Sequence, residues 1–472
     1  MILKIGKGKK VLEKTAQLAK LLKVEVFAVG GFVRDLYLGI EGTDIDFVVV
    51  GDALKFASEF KKRYRSGQVV HYPRFGTAML HYNDYKLEFV SARSEYYDSN
   101  SRKPKVKRAN LLSDLTRRDF TINTLALDIR PSHFGHLINL LHGLEDIENK
   151  IIRTPLDPVI TFSDDPLRIL RAIRFATVLD FQIEPKTYQA LIETRQRLQI
   201  ISQERITEEL RRMLLASKPS RGMYLLKETG IMDIIFPELI LLTGVEQRQD
   251  FHHKDVFDHT MQVLDNISKK TDSFELRFAA LLHDIAKPHT KRFVEEVGWT
   301  FHGHEDLGAR MVEDIGRRMR LPLHVIKYVQ KLVRLHLRPI QLVDDKVTDS
   351  ALRRLMVEAG PELDDLMLLC RADVTSKNPQ KVKRYLANFD HVEKKMKEVE
   401  EKDKLRQFKL AIDGNLIMKT LKIKPGPLVG KIKDAIFEAV MNGQIPNEQQ
   451  ACHEYMMTIK DNFLNNTDKK EC

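Results

Sequence analysis

Apolar and polar positions follow two different periods along the chain, and the change of period divides it. Up to about residue 150, short runs rich in β-branched and aromatic residues alternate with helical patterns. "VEVFAVG", "DIDFVVVG", "TAMLHY" and "KLEFVSA" read as strands, and "KTAQLAKLL" and "FVRDLYLG" as helices. From about residue 155, apolar residues recur at three- and four-residue spacing in "DPLRILRAIRFATVL", "TYQALIETRQRL" and "ERITEELRRMLLA", which predicts helices almost without break. "PSRGMYLLKETGIMDIIFPEL" reads as a helix pair closed by Gly230 and Pro237. The tail reads as short helices around a Pro-Gly-Pro turn. "HVEKKMKEVEEKDK" reads as a charged, solvated helix or linker, and the polar, basic stretch between Glu88 and Arg117 as a mobile loop.

Composition narrows this picture. A chain of 472 residues exceeds one ordinary core, so two to four domains are expected. With 43% hydrophobic and 30% charged residues it reads as soluble and globular. No run of 18 apolar residues appears, and the N-terminus lacks the apolar core of a signal peptide, so no membrane partner is expected. The three cysteines, Cys370, Cys452 and Cys472, form no disulfide framework or zinc-ribbon spacing, which fits a reducing cytoplasm. The net charge of +11 favours nucleic acid or another polyanion.

Candidate chemistry begins at "FAVGGFVRDLYLGIEGTDIDFVVV". Residues two apart on a strand share a face, so Asp44 and Asp46 project together. Close carboxylates repel, and hard oxygen ligands suit Mg²⁺, which can clamp a phosphoryl transfer. Glu88 can add a third carboxylate. By themselves two such aspartates also fit a capped turn. Gly30 and Gly31 change the balance, because their backbone can approach a triphosphate and Arg34 stands near to meet its charge. Further on, His259, His283, Asp284, His304, His336 and Asp373 offer imidazole and carboxylate ligands from separate helical runs. Imidazole-rich ligation suits Mn, Fe, Co, Ni or Zn better than Mg.

"GGFVRD" followed by "DIDF" resembles the head of class II nucleotidyltransferases, the group of tRNA CCA-adding enzymes and bacterial poly(A) polymerases. "TRRDFTINTLAL", "LLHGLEDIENKIIRT", "DDPLRILRAIRFA" and "QERITEELRRML" resemble its later motifs in the same order, with Asp164 where the family has Glu. The resemblance implies an α+β fold. A nucleotidyltransferase head with a small mixed β-sheet (1–155) is followed by an all-helical neck (156–245), a helical HD domain (246–395) and a helical tail (396–472). It implies Asp44 and Asp46 as catalytic metal ligands. It assigns Arg117, Arg118, Asp119 and Asn123 to ribose and triphosphate.

The resemblance also makes Asp165 and Arg168 a protein template for the base. Three apart on a predicted helix, they share a face, and they can read the amino-bearing edges of C and A; an intrahelical ion pair is the alternative. Arg171 and Arg174 extend that face as nucleotide or tRNA-phosphate contacts. His259, His283–Asp284 and Asp373 resemble the HD phosphohydrolase pattern, with His304 and His336 completing a second metal site and Lys287 matching a lysine often found after the pair. An HD fold kept only as a tRNA-facing scaffold is the alternative there. The expected function is addition of C and A from CTP and ATP to the tRNA 3′ end, with an HD-domain phosphohydrolase activity. A poly(A) polymerase, or an HD phosphohydrolase with a nucleotide-binding head, are the rivals. Related enzymes that add only CC tend to have a shortened loop after the second carboxylate strand, so the long stretch here points to the final A as well. Oligomeric state is not legible.

Overall fold

The computed structural model describes residues 1–98, 101–246, 255–296, 298–342, 348–376, 378–403 and 408–464. It divides into two compact units, Met1–Ile240 and Leu241–Cys472. Cys370 and Cys452 are free and buried, and Cys472 lies outside the described residues.

The first unit is built on a mixed seven-stranded sheet. Its strands are β1 (Glu25–Val29), β2 (Asp44–Val50), β3 (Val69–Tyr72), β4 (Thr77–Tyr82), β5 (Tyr85–Ser91), β8 (Ala126–Asp128) and β9 (His136–Ile138). They lie in the order β3-β4-β5-β2-β1-β8-β9, so β2 is the central strand. That position explains its unbroken "FVVV", because both faces are covered. The helix Ala53–Tyr64 covers one face. Asp52 caps it by accepting from Lys55 N at 3.0 Å, and Phe56 and Phe60 bring their rings to 5.1 and 5.7 Å from Phe89, which stacks on Phe47 at 5.0 Å.

The stretch expected as a loop after Glu88 contains a two-stranded hairpin instead, β6 (Arg93–Asp98) and β7 (Ser101–Arg108), with residues 99–100 outside the described set. A ribbon held by backbone pairing needs no apolar alternation, which is why its polar sequence did not announce it. After β9 the unit is mostly helical, with one short parallel pair, β10 (Ile151–Ile152) and β11 (Gln182–Ile183).

Among the described residues the second unit is helical apart from a short hairpin, β12 (Arg292–Val294) and β13 (Gly298–Thr300). The charged stretch expected to be solvated lies in a 25-residue helix, Pro379–Asp403. Phe389, Val392, Met396 and Val399 on it are buried, a stripe at helical spacing hidden among lysines and glutamates. The tail helices Gly414–Leu421, Pro427–Met441 and Gln449–Leu464 share a core of Ile417, Ile432, Ile436, Cys452 and Met456. No described helix is long and apolar enough to cross a membrane.

Candidate functional site

The central strand delivers its two aspartates to a cavity of about 790 Å³ in the first unit. β2 runs parallel to β5 with Asp46 beside Glu88, while Val29 of β1 flanks Asp46 on the other side. Asp44 is exposed, with Lys86 Nζ 4.0 Å from its Oδ2. Burial pushes the Asp46 carboxyl above its ordinary range, and Asp44 adds to this against the pull of Arg118. Glu88 is raised for the same reasons, burial first and Asp46 next. Asp46 and Glu88, both raised and set beside Asp44, are a donor set whose repulsion a divalent cation relieves, so the residues present fit hard-cation binding.

Gly30 has a physical reason to be glycine. Its φ is +75° with ψ −140°, and a Cβ there would stand 2.7 Å from Arg118 Nη1 and 3.6 Å from Asp46 Oδ2. The bare turn lets the Arg118 guanidinium lie beside the Asp46 carboxylate. Arg118 Nη2 donates to the fully buried Asp114 at 3.2 Å, and its buried Nε has no hydrogen-bond partner. Gly31 opens the helix Gly31–Tyr37.

Arg34, expected to assist with phosphate charge, lines the cavity and is buried and engaged. Its Nε donates to Asp35 at 2.8 Å and its Nη1 to Asn123 Oδ1 at 2.7 Å. Asn123 in turn donates to Asp119 Oδ1 at 3.0 Å, and Arg171 Nε donates to Asp119 Oδ2 at 2.7 Å. Burial opposes the Asp119 charge, but Arg171 and the Asn123 hydrogen bond outweigh it and hold the carboxyl well below the usual range. Arg174 turns inward, with Nε 2.5 Å from the buried Glu209. Arg34, Arg171 and Arg174 stack around one ring, Phe175, at 5.1, 5.4 and 4.0 Å. The spacing by threes therefore marks a scaffold that holds arginines in place along the cavity wall.

Asp165 does not share a helix with Arg168, as their spacing had suggested. Pro166 separates them. Asp165 is the extended residue that ends the helix Pro158–Asp164, and Leu167–Val178 begins after the proline. The two still line one cavity with Asp44, Asp46 and Glu88. Arg168 Nη2 donates to the Arg117 carbonyl at 2.8 Å, and Arg117 itself is clamped to Asp114. Arg205 and Arg212 also line the cavity from the helix Gln203–Leu214, and sequence reading had not singled them out. Their seven-residue spacing places them on one helix face with Glu209, a signal that was available.

In the second unit the six histidine and aspartate candidates meet. His259, His283 and Asp373 form one trio and Asp284, His304 and His336 another, each with ligand atoms within 4.8 Å. Asp284, expected in the first set, joins the two. Its Oδ2 lies 3.2 Å from His283 Nε2 and 3.5 Å from His259 Nε2, and its Oδ1 lies 3.3 Å from His304 Nε2 and 3.8 Å from His336 Nε2. His283 sits at the end of the helix Phe274–Leu282, so the pair projects from a helix terminus rather than from its middle.

The ring orientations are set from behind. Nδ1 of His283, His304 and His336 meets the carbonyl of Ala280, Phe301 and Val333 at 2.8, 2.7 and 2.6 Å, and Nδ1 of His259 meets Thr375 Oγ1 at 2.8 Å. All four Nε2 atoms are left to the centre, the arrangement of metal-ligating histidines. Thr375 carried no sequence signal, since only the fold brings it to His259. Burial opposes charge on His283, but Asp284 and Asp373 overcome it and push the ring up to about 10. Burial and the neighbouring His283 push His336 down to about 3. Asp284 Oδ2 is buried without a hydrogen-bond partner, although Lys287 Nζ lies 2.7 Å away. A buried carboxylate set among four imidazole Nε2 atoms fits transition-metal ligation.

Three family descriptions match the chain in order. They are the Poly A polymerase head domain at residues 26–153, the probable RNA and SrmB-binding site of polymerase A at 180–242, and the HD domain at 256–378. A CC-adding tRNA nucleotidyltransferase of Thermus thermophilus is 31% identical over 90% of this chain and 92% of its own length. An A-adding tRNA nucleotidyltransferase of Deinococcus radiodurans is 33% identical over 72% of this chain and 78% of its own. A solved tRNA nucleotidyltransferase complexed with a primer tRNA and an incoming ATP analog superposes with a TM-score of 0.58 at 26% identity, covering 80% of this chain and 99% of that one.

Proposed function

The chain belongs to the class II CCA-adding and poly(A) polymerase family of tRNA nucleotidyltransferases, with a C-terminal HD domain, and from that premise we propose that its first unit adds C and A from CTP and ATP to the tRNA 3′ end without a nucleic-acid template. One observation carries the reading. The carboxylates Asp44, Asp46 and Glu88 and the pair Asp165 and Arg168 line a single cavity, so a nucleotide has its phosphates and its base edge addressed at once.

The primer's 3′-hydroxyl attacks the α-phosphate, the bond to the β-phosphate oxygen breaks, and pyrophosphate leaves. Asp44 and Asp46 would hold Mg²⁺, which would supply charge neutralisation at the α-phosphate and lower the pKa of the attacking hydroxyl. Arg118, free on Nε and poised over the Gly30 turn, meets triphosphate charge beside Asp46. Asp119 and Asn123 bind ribose and triphosphate, kept in place by Arg171 and Arg34. The Asp165 carboxylate accepts from the exocyclic amino group of C or A. Arg168, anchored on the Arg117 carbonyl, donates to the adjacent ring nitrogen, and the carbonyl of U or G in the amino position is turned away. The β6–β7 hairpin is the extra element expected of an enzyme that also adds the final A.

In the second unit, the bridging Asp284 and the four Nε2 atoms support a phosphohydrolase centre, with a 2′,3′-cyclic phosphate on a damaged RNA end as a fitting substrate. Mn, Fe, Co, Ni or Zn on these ligands would supply an activated water whose oxygen adds to phosphorus as the ester bond breaks.

The deciding experiment supplies CTP and ATP separately to tRNA ending before, within and after CC. Two C residues on the shortest primer and a single A on the CC-ended one are expected. A long A tract, or use of one nucleotide alone, overturns the assignment.

A further inference from the structure

The chain's single tryptophan stands on the β12–β13 hairpin, which runs between the metal-centre residues Asp284 and His304 in the chain. Phe293 pairs with Trp299 across the two strands, and their rings meet edge to face at 5.1 Å. Lys291 and Phe301, one residue beyond the strand ends and two positions from Phe293 and Trp299, extend the row. Lys291 Nζ lies 4.1 Å over the Trp299 ring, and Lys287 Nζ lies 5.5 Å over the Phe301 ring.

The inner end of that row is tied to the centre, since Lys287 reaches Asp284 at 2.7 Å and the Phe301 carbonyl meets His304 Nδ1 at 2.7 Å. The outer end faces solvent, with Phe293 48% exposed. A cross-strand aromatic pair also stabilises a hairpin. That role does not account for two ammonium groups stacked along the same face and leading to a phosphoester-hydrolysing centre.

We propose that this face is the substrate lip of the His/Asp centre. The base next to the scissile phosphate stacks on Trp299 and Phe293, and Lys291 meets a neighbouring phosphate, so the centre prefers nucleotide esters to simple aryl phosphates. The proposal rests on the phosphohydrolase reading, and its test separates the two.

Titrating the metal-loaded full chain with 2′,3′-cyclic AMP, and with a short RNA carrying the same end, should change the fluorescence of Trp299 saturably. Tighter saturation by the RNA supports both the base stack and the Lys291 contact to a neighbouring phosphate; equal affinity supports the base stack and overturns the Lys291 contact. Phe293→Leu should weaken both titrations about ten-fold. Phe293→Leu and Trp299→Leu, checked for retained metal, should raise KM for the cyclic nucleotide about ten-fold with kcat within three-fold. The ratio of kcat/KM for this ester to that for p-nitrophenyl phosphate should fall by the same factor. Hydrolysis with unchanged KM in both variants, or no fluorescence response, overturns the lip while the hydrolase reading stands. A saturable response with no ester hydrolysed overturns the hydrolase reading and leaves a nucleotide-binding hairpin.

Discussion

Asp46 bears an internal cost that its chemistry explains. Burial raises its carboxyl above the ordinary value, so the ionised form is disfavoured in the folded protein. A raised folded-state pKa contributes stability that is complete below the unfolded value and is lost as pH rises through the folded one. Asp46→Asn should therefore melt higher than the native chain at pH 7 without divalent ions, and by a smaller margin near pH 4, while losing nucleotide incorporation and keeping tRNA binding. Mg²⁺ should raise the Tm of the native chain and leave the variant unmoved. Calorimetry across pH with and without Mg²⁺ checks both, and a lower Tm for the variant at pH 7 would refute the argument. Base choice is also a residue-scale matter. Asp165→Asn or Arg168→Ala should reduce discrimination against UTP and GTP by about 5- to 150-fold, the worth of one edge-reading pair. Competition between the four nucleotides measures it, and unchanged preferences would return the pair to a structural role.

At the scale of elements, the turn at Gly30 and the strand pair β2–β5 do the positioning. Gly30→Ala forces an L side chain into a backbone region that costs about 1–3 kcal/mol and displaces Arg118. It should lower kcat/KM for CTP at least ten-fold, and a native-like steady-state profile would show that the close approach does not matter. Phe89 lies next to Glu88 and under three other rings, so Phe89→Ala should cost about 3–5 kcal/mol in urea unfolding. Element reading from sequence succeeded where a face is buried. It failed at the β6–β7 hairpin, which is held by backbone pairing, and at the helix Pro379–Asp403, where a buried stripe is outnumbered by charge.

At the scale of the molecule, two compact units carry two separate sets of chemical groups. His283→Ala combined with Asp284→Ala should abolish bound transition metal and phosphoester hydrolysis while CTP incorporation stays within about three-fold of native. Metal analysis and the two assays decide it, and loss of incorporation in a folded double variant would mean that the sites depend on each other.

Sequence alone determined the unbroken apolar run that makes β2 a central strand and the two-residue spacing that puts Asp44 and Asp46 on one face. The resemblance carried by its motifs also pointed to the order of the head segments and to six candidate ligands in the second unit, because motif residues and short-range periodicity are local properties. Tertiary structure decided the rest. Pro166 takes Asp165 off the helix of Arg168, yet packing returns both to one cavity. Arg34 and Arg174 spend their charge on Asn123, Asp35 and Glu209, partners 89, 1 and 35 residues away. Asp284 bridges two trios and Thr375 fixes His259 across 116 residues. Which buried charge meets which partner depends on distances closed by the whole core, and linear spacing does not contain those distances.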